Sequence, residues 1–216
     1  MNMDREQKIF FKKVEKDLYK LIKLSAKQYA YKSISNSLYK KIDDFFAHSI
    51  YFGKYTEDGL TIVVWNCIKT YQSDNLFWTA FDMQSNVEQQ DSLRANGAFV
   101  APSLKICENV FDITKMINLE KTSCEISNAI AQEHDSFVQS FSGSTQAYNH
   151  YLLNCHGYLR EELMKMLASI ELHDYEMAKN MAEEEIGKGN RGGYQNNDKD
   201  IYQYILEYCN RKLNII

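Results

Sequence analysis

Apolar residues recur every three or four positions from residue 4 to 27. Phe11, Val14, Leu18, Leu21 and Ser25 fall on one side, with Phe10 and Ile22 widening the stripe. That spacing matches the 3.6-residue turn of an α-helix and predicts an amphipathic first helix. Asp4, followed three residues on by Gln7, reads as its N-terminal cap. The period then falls to two. Tyr29-Ala-Tyr31, Ser37-Leu-Tyr39 and Phe46 to Phe52 alternate as strands do. Thr56-Glu-Asp-Gly59 is a turn sequence, because Asp-Gly supplies the positive-φ residue of a tight hairpin. Leu60 to Ile68 follows with apolar residues on both faces: Leu60, Ile62, Val64 and Ile68 on one, Thr61, Val63, Trp65 and Cys67 on the other. This predicts a central strand covered on both sides, with Trp65 buried.

Asp74 is expected to cap a short helix, Asn75–Met83, and Gln84–Ser92 to be loop. Gly97–Cys107 reads as a further strand, placed at an edge or bulge by Pro102. From about Thr114 the pattern is helical to the end. Stripes run through Ile126, Ile130, Phe137 and Phe141, through Tyr148 to Cys155, and through Leu159 to Ile170. A further helix is capped by Asp174, and the last is expected at Asp200–Leu213. The fold class that results is α+β: an N-terminal helix, an antiparallel sheet of about four to five strands, and a C-terminal run of helices. Residues 1–113 hold the helix and sheet, and 114–216 a helical region expected to pack on the sheet as one domain.

Composition narrows the class without naming a function. The 216 residues are 44% hydrophobic and 25% charged, ordinary values for a folded domain. A formal net charge of −4 argues against a chain built to coat nucleic acid. Lysines crowd the first helix (Lys8, Lys12, Lys13, Lys16, Lys20, Lys23 and Lys27), but Asp4, Glu6, Glu15 and Asp17 interleave with them as a solvated helix face requires. The five cysteines show no CxxC spacing. The opening residues lead us to expect no leader, and no run approaches the roughly 18 apolar residues of a membrane span. Free thiols in a cytoplasmic protein, with no membrane partner, are therefore expected. Abundant Lys, Ile, Asn and Tyr, all from AT-rich codons, point to an AT-rich bacterial or viral genome.

No constellation is diagnostic of catalysis. His134-Asp135 and His173-Asp174 are His-Asp doublets of the kind that metal-dependent hydrolases use, but no upstream helix supplies the further histidine such a site needs. His150 and His156 sit six residues apart, on different helix faces. Glu183, Glu184 and Glu185 are consecutive and diverge. We therefore expect no metal ligand, no catalytic residue and no cofactor. Glycines give the nearest approach to a phosphate loop. In Gly187-Lys-Gly-Asn-Arg-Gly-Gly193, Lys188, Gly189, Arg191, Gly192 and Gly193 are the anion-binding candidates. The loop lacks the preceding strand and the Gly-Lys-[Ser/Thr] ending of a nucleotide site. Fifteen tyrosines invite a base-stacking reading, with Tyr29, Tyr31, Tyr39 and Tyr51 among Lys27, Lys32, Lys40, Lys41 and Lys54. Net acidity and the high strand propensity of tyrosine count against it.

The terminal helix carries two apolar faces. Ile201, Tyr204, Ile205 and Tyr208 form one; Tyr202, Leu206, Cys209 and Leu213 form the other. A helix with two such faces is either enclosed by others or lies at an interface. Tyrosine enrichment favours the interface, with an identical chain as the default partner. The expectation for the whole chain is a non-enzymatic protein-interaction module, possible roles including a toxin-neutralising, immunity-type protein. A metal-dependent hydrolase and a single-stranded nucleic-acid binder are the alternatives.

Overall fold

A computed structural model of the chain describes residues 4–56, 59–114 and 118–214. The chain order is helix, five-stranded antiparallel sheet, then helices, an α+β arrangement. The residues divide into two compact units that are each discontinuous in sequence. The first takes 1–42, 46–68 and 105–140; the second takes 43–45, 69–104 and 141–216.

In the first unit, helix α1 (Arg5–Ser25) starts at Asp4, whose side chain accepts the Gln7 N–H at 2.8 Å, as its cap sequence predicts. It ends in a 3-10 turn, Ala26–Tyr29, followed by Ala30 at φ +63°. The alternation at Tyr29–Tyr31 is therefore not a strand: Tyr31 turns inward from the turn's end and is buried. The strands are β1 (Lys32–Ile34), β2 (Ser37–Ile42), β3 (Phe45–Tyr55), β4 (Leu60–Thr70) and β5 (Leu104–Ile113), hydrogen-bonded in sequence order. Lys32 faces Tyr39 across β1 and β2, and Ile34 faces Ser37. The predicted Thr56–Gly59 turn is closed by Thr56 N–H donating to Gly59 O at 2.9 Å, while Glu57 and Asp58 lie outside the described residues.

Helix α4 (Leu119–Ser140) packs beside α1, with the Ser25 and Ser127 hydroxyls 2.6 Å apart. Together with Leu38, Tyr51, Leu60, Ile62, Val64 and Ile113 of the sheet, Phe11, Leu18 and Ile22 of α1 and Ile126 and Ile130 of α4 make one core. Both helices thus cover the same sheet face. Predicted coverage of both faces fails at Trp65, which is 39% exposed. The Gly97–Cys107 strand is also displaced: β5 begins two residues after Pro102, and the preceding segment is irregular.

The second unit contains α2 (Tyr71–Ala80), α3 (Ser92–Asn96), α5 (Thr145–Leu153), α6 (Glu161–Glu171), α7 (Tyr175–Gly187), a two-residue hairpin β6–β7 (Gln195–Asn196 and Lys199–Asp200), and α8 (Ile201–Lys212). Thr70, not Asp74, caps α2, accepting the Ser73 N–H at 3.0 Å. Asp74 is engaged elsewhere, in a buried ion pair with Lys69. Asp174 does cap α7, and Asp200 closes a capping box with Gln203 at the start of α8. Phe77 and Trp78 of α2 with Phe81 just after it, Leu163, Met166, Leu167 and Ile170 of α6, and Ile201, Tyr204 and Ile205 of α8 share a second core. Gly192, at φ +66°, fits against α8 only for want of a side chain: a Cβ there would come within 2.5 Å of the Ile201 side chain.

Candidate functional site

Strand alternation sends Ile50, Phe52 and Lys54 of β3 to the sheet face opposite the helices. The same face receives Thr61, Val63 and Trp65 of β4, and Ile106, Glu108, Val110 and Asp112 of β5. Cross-strand side-chain bonds fix this register. Thr61 donates to Asp112 at 3.0 Å and the Trp65 indole N–H donates to Glu108 at 2.9 Å. Advancing along β4 retreats along β5 by the same number of residues, so the pairing is antiparallel and Val63 lies between the two bonded pairs, beside Val110.

Val63 is buried, but Trp65 and Val110 are 39% and 57% exposed. Phe52 meets the Trp65 ring edge-on, with centroids 5.1 Å apart and planes at 85°. Lys54 places its ammonium 5.6 Å from the Phe52 centroid, and Lys105 places its own 4.9 Å from that of Trp65. Lys105 also pairs with Glu108 at 2.7 Å, and this charged hydrogen bond leads the effects that lower the Glu108 pKa. The outcome is an apolar centre of Phe52, Trp65 and Val110 with both signs of charge around it. Its tryptophan is fixed by a hydrogen bond and by ring contacts on two sides.

On the helix-covered face the same strands carry a polar row. Ser49 donates to Asn66 at 2.6 Å, and the Asn66 amide donates to Asn109 at 2.6 Å and to the Cys107 sulfur at 3.2 Å. Satisfying Asn66 in this way requires one register of three strands, because a one-residue slip would turn each of these side chains to the other face.

The residues singled out from sequence are distributed as follows. His134 is enclosed in α4, its Nδ1 2.7 Å from the Tyr31 hydroxyl. Burial, aided by the Lys40 charge, pushes its pKa down to about 4, so the ring is neutral at physiological pH. Asp135 faces outward and pairs with Lys40 at 2.9 Å. His173 and Asp174 belong to the second unit. Among the described residues, no group of three or more His, Cys, Asp or Glu could hold a metal. Tyr31, Tyr39 and Tyr51 are buried, and Tyr29 is partly buried and donates to Asn128 at 3.1 Å, so these rings are closed to stacking bases.

In the glycine loop, the Lys188 ammonium lies 2.8 Å from both Glu184 and Glu185, which raise its pKa. Gly189, in the left-handed conformation, donates its N–H to Ile186 O, and Gly192 donates to the Asn190 side chain at 3.2 Å. Arg191 is exposed, and Gly193 lies beside Arg160, whose guanidinium is 4.2 Å from the Tyr194 centroid. The loop's geometry is that of a helix C-terminus, with its lysine already engaged by carboxylates. On α8, Tyr202 and Cys209 lie inside the second core, Leu206 packs against it, and Leu213 is partly exposed. The structure therefore does not gather these four residues into one open patch.

The open sheet face stays hidden in the sequence because the Gly97–Cys107 pattern ends the last strand too early. The alternation that continues through Glu108, Val110 and Asp112, with Phe111 and Ile113 facing the core, is the signal that could have found it. Comparison with protein-family models, with curated proteins and with solved structures gives no match to this chain.

Proposed function

We propose that this chain is a non-enzymatic protein-interaction module that associates through the open face of its sheet, a second copy of the chain being the occupant. The observation that carries this reading is Trp65: a large aromatic side chain left exposed at the centre of an apolar patch and held rigid there. Tryptophan anchors of this kind supply much of the affinity at protein interfaces, since a fixed ring forfeits little conformational freedom on contact. The charges select the occupant. A twofold interface apposes one patch to itself, so each charge needs an opposite one on the same face. Lys54 and Lys105 with Glu108 and Asp112 meet that requirement, whereas a purely acidic or purely basic partner would find half of them repulsive.

A nucleic-acid strand suits the face less well. Glu108 and Asp112 repel phosphate, and the perpendicular Phe52 and Trp65 rings offer no continuous stacking platform. Sedimentation equilibrium from low to several hundred micromolar tests the proposal, comparing wild type with Trp65→Glu and Val110→Glu. The expected result is a reversible dimer for wild type and folded monomers for both variants, judged by unchanged circular dichroism. A wild type that stays monomeric throughout rejects self-association and leaves a heterologous protein, including one that this chain would neutralise, as the occupant.

A further inference from the structure

The second unit contains a cleft of about 520 Å³, within the range that holds small ligands. The start of α2 contributes Tyr71, the end of α6 contributes Glu171, the following turn His173 and Tyr175, and the end of α8 Tyr208 and Lys212. Glu171 is the unusual member. One carboxyl oxygen accepts from the Thr70 and Ser73 hydroxyls at 2.5 and 2.8 Å, and the other accepts from the Asn149 amide at 2.9 Å. These donors are all neutral. Among the described residues no cation pairs with Glu171, and burial raises its pKa against the pull of the three hydrogen bonds.

A carboxylate withdrawn from water is ordinarily compensated by a cation, as Asp74 is by Lys69 in this same unit. Glu171 has dipoles instead, and a cleft in front of it. The cleft walls fit a cation with an apolar body: Leu76 and Ile170 are aliphatic, and Tyr175 and Tyr208 present aromatic rings. The Tyr208 ring already accepts an ammonium, that of Lys212 at 5.5 Å. Asp44 adds a second carboxylate to the lining, and His173 is bonded to the Tyr175 hydroxyl at 3.1 Å. His173 takes its place at φ +62° as the left-handed residue that closes α6, its N–H on Ile170 O at 3.0 Å and that of Asp174 on Ser169 O at 2.9 Å.

We infer that this cleft binds a small organic ammonium ion, its nitrogen on the Glu171 carboxylate and its carbon chain against Tyr71, Tyr175 and Tyr208. The inference stands apart from the sheet-face reading, because every residue in it belongs to the second unit.

The test uses the full chain and n-butylammonium as probe, with n-butanol and n-butyrate as uncharged and anionic counterparts, followed by NMR. The expected result is saturable butylammonium binding that moves the ring signals of Tyr175 and Tyr208. Butanol and butyrate should bind at least about tenfold more weakly. Glu171→Gln keeps the side-chain shape and should weaken butylammonium about tenfold with the fold unchanged. Tyr175→Leu, at a partly exposed position, provides a second variant and should weaken the same probe. Equal binding of butanol would reduce the cleft to an apolar slot, and preferential binding of butyrate would make it an anion site on Lys212. Either result, undiminished binding to Glu171→Gln, or no binding at all, overturns the inference.

Discussion

Lys69 and Asp74 form an ion pair of 2.8 Å in which the side chains are 2% and 0% exposed. The remaining Lys69 donors reach Arg94 O at 3.2 Å and Ala101 O at 3.1 Å, and Asp74 also accepts the Ala101 N–H at 2.9 Å. The Arg94 guanidinium lies 3.8 Å from the Tyr71 centroid and donates to Asn75 at 2.8 Å. These bonds tie α3 and the irregular segment after it, through Ala101, to the end of β4 and to α2. Lys69→Met keeps the stem and removes the charge, leaving Asp74 buried beside Arg94 alone. We expect a loss of about 3–5 kcal/mol in urea unfolding, the usual consequence of orphaning a buried partner. A loss below about 1 kcal/mol would show that Arg94 suffices.

The two tryptophans should respond oppositely to truncation. Trp78 is fully buried, with its indole N–H on Phe99 O at 2.7 Å, so Trp78→Ala should cost about 3–5 kcal/mol. Trp65→Ala removes a ring that water already reaches, and should cost less than about 1.5 kcal/mol in the monomer. Denaturant midpoints for the two variants give the comparison directly. Equal costs would mean that the open face is covered in solution.

What could be read from sequence follows from how local each signal is. The helices announce themselves by periodicity and caps: Asp4, Asp174 and Asp200 each act on a backbone N–H within three residues. The β3–β4 hairpin is legible for the same reason. Asp74 resembles those caps in sequence, but it is taken by Lys69 of the preceding strand and by the Ala101 N–H far along the chain, and no local rule anticipates those bonds. Trp65 fails differently. Its strand carries apolar residues on both faces, and that pattern reads as double coverage. In fact Val63 is buried while Trp65, two residues on along the same face, is exposed. The cleft around Glu171 draws on five separate segments and leaves no spacing to detect.

His134 gives the fold a pH dependence of known sign. Burial lowers its folded-state pKa from 6.5 to about 4. Above about pH 6.5 the ring is neutral in both states, and its contribution to stability is complete. As pH falls from there toward 4, the unfolded chain takes up a proton that the folded chain refuses. Stability then declines by up to about 1.4 kcal/mol per pH unit, roughly 3 kcal/mol across the window. Urea unfolding between pH 7 and 5 should show this decline in wild type and a flatter profile in His134→Gln. Parallel profiles would place the proton uptake on another group.

The central claim is that the sheet face bearing Trp65 is where a second copy docks, and the two tryptophans allow it to be read with an internal control. With only Trp65 and Trp78 in the chain, indole ¹⁵N labelling gives two side-chain signals. On dilution from several hundred micromolar to low micromolar, the account predicts that the Trp65 indole signal moves along a single binding curve. The signal of Trp78, sealed in the second core, should stay in place. Trp65 and Trp78 signals that are both unchanged over the whole range would contradict it.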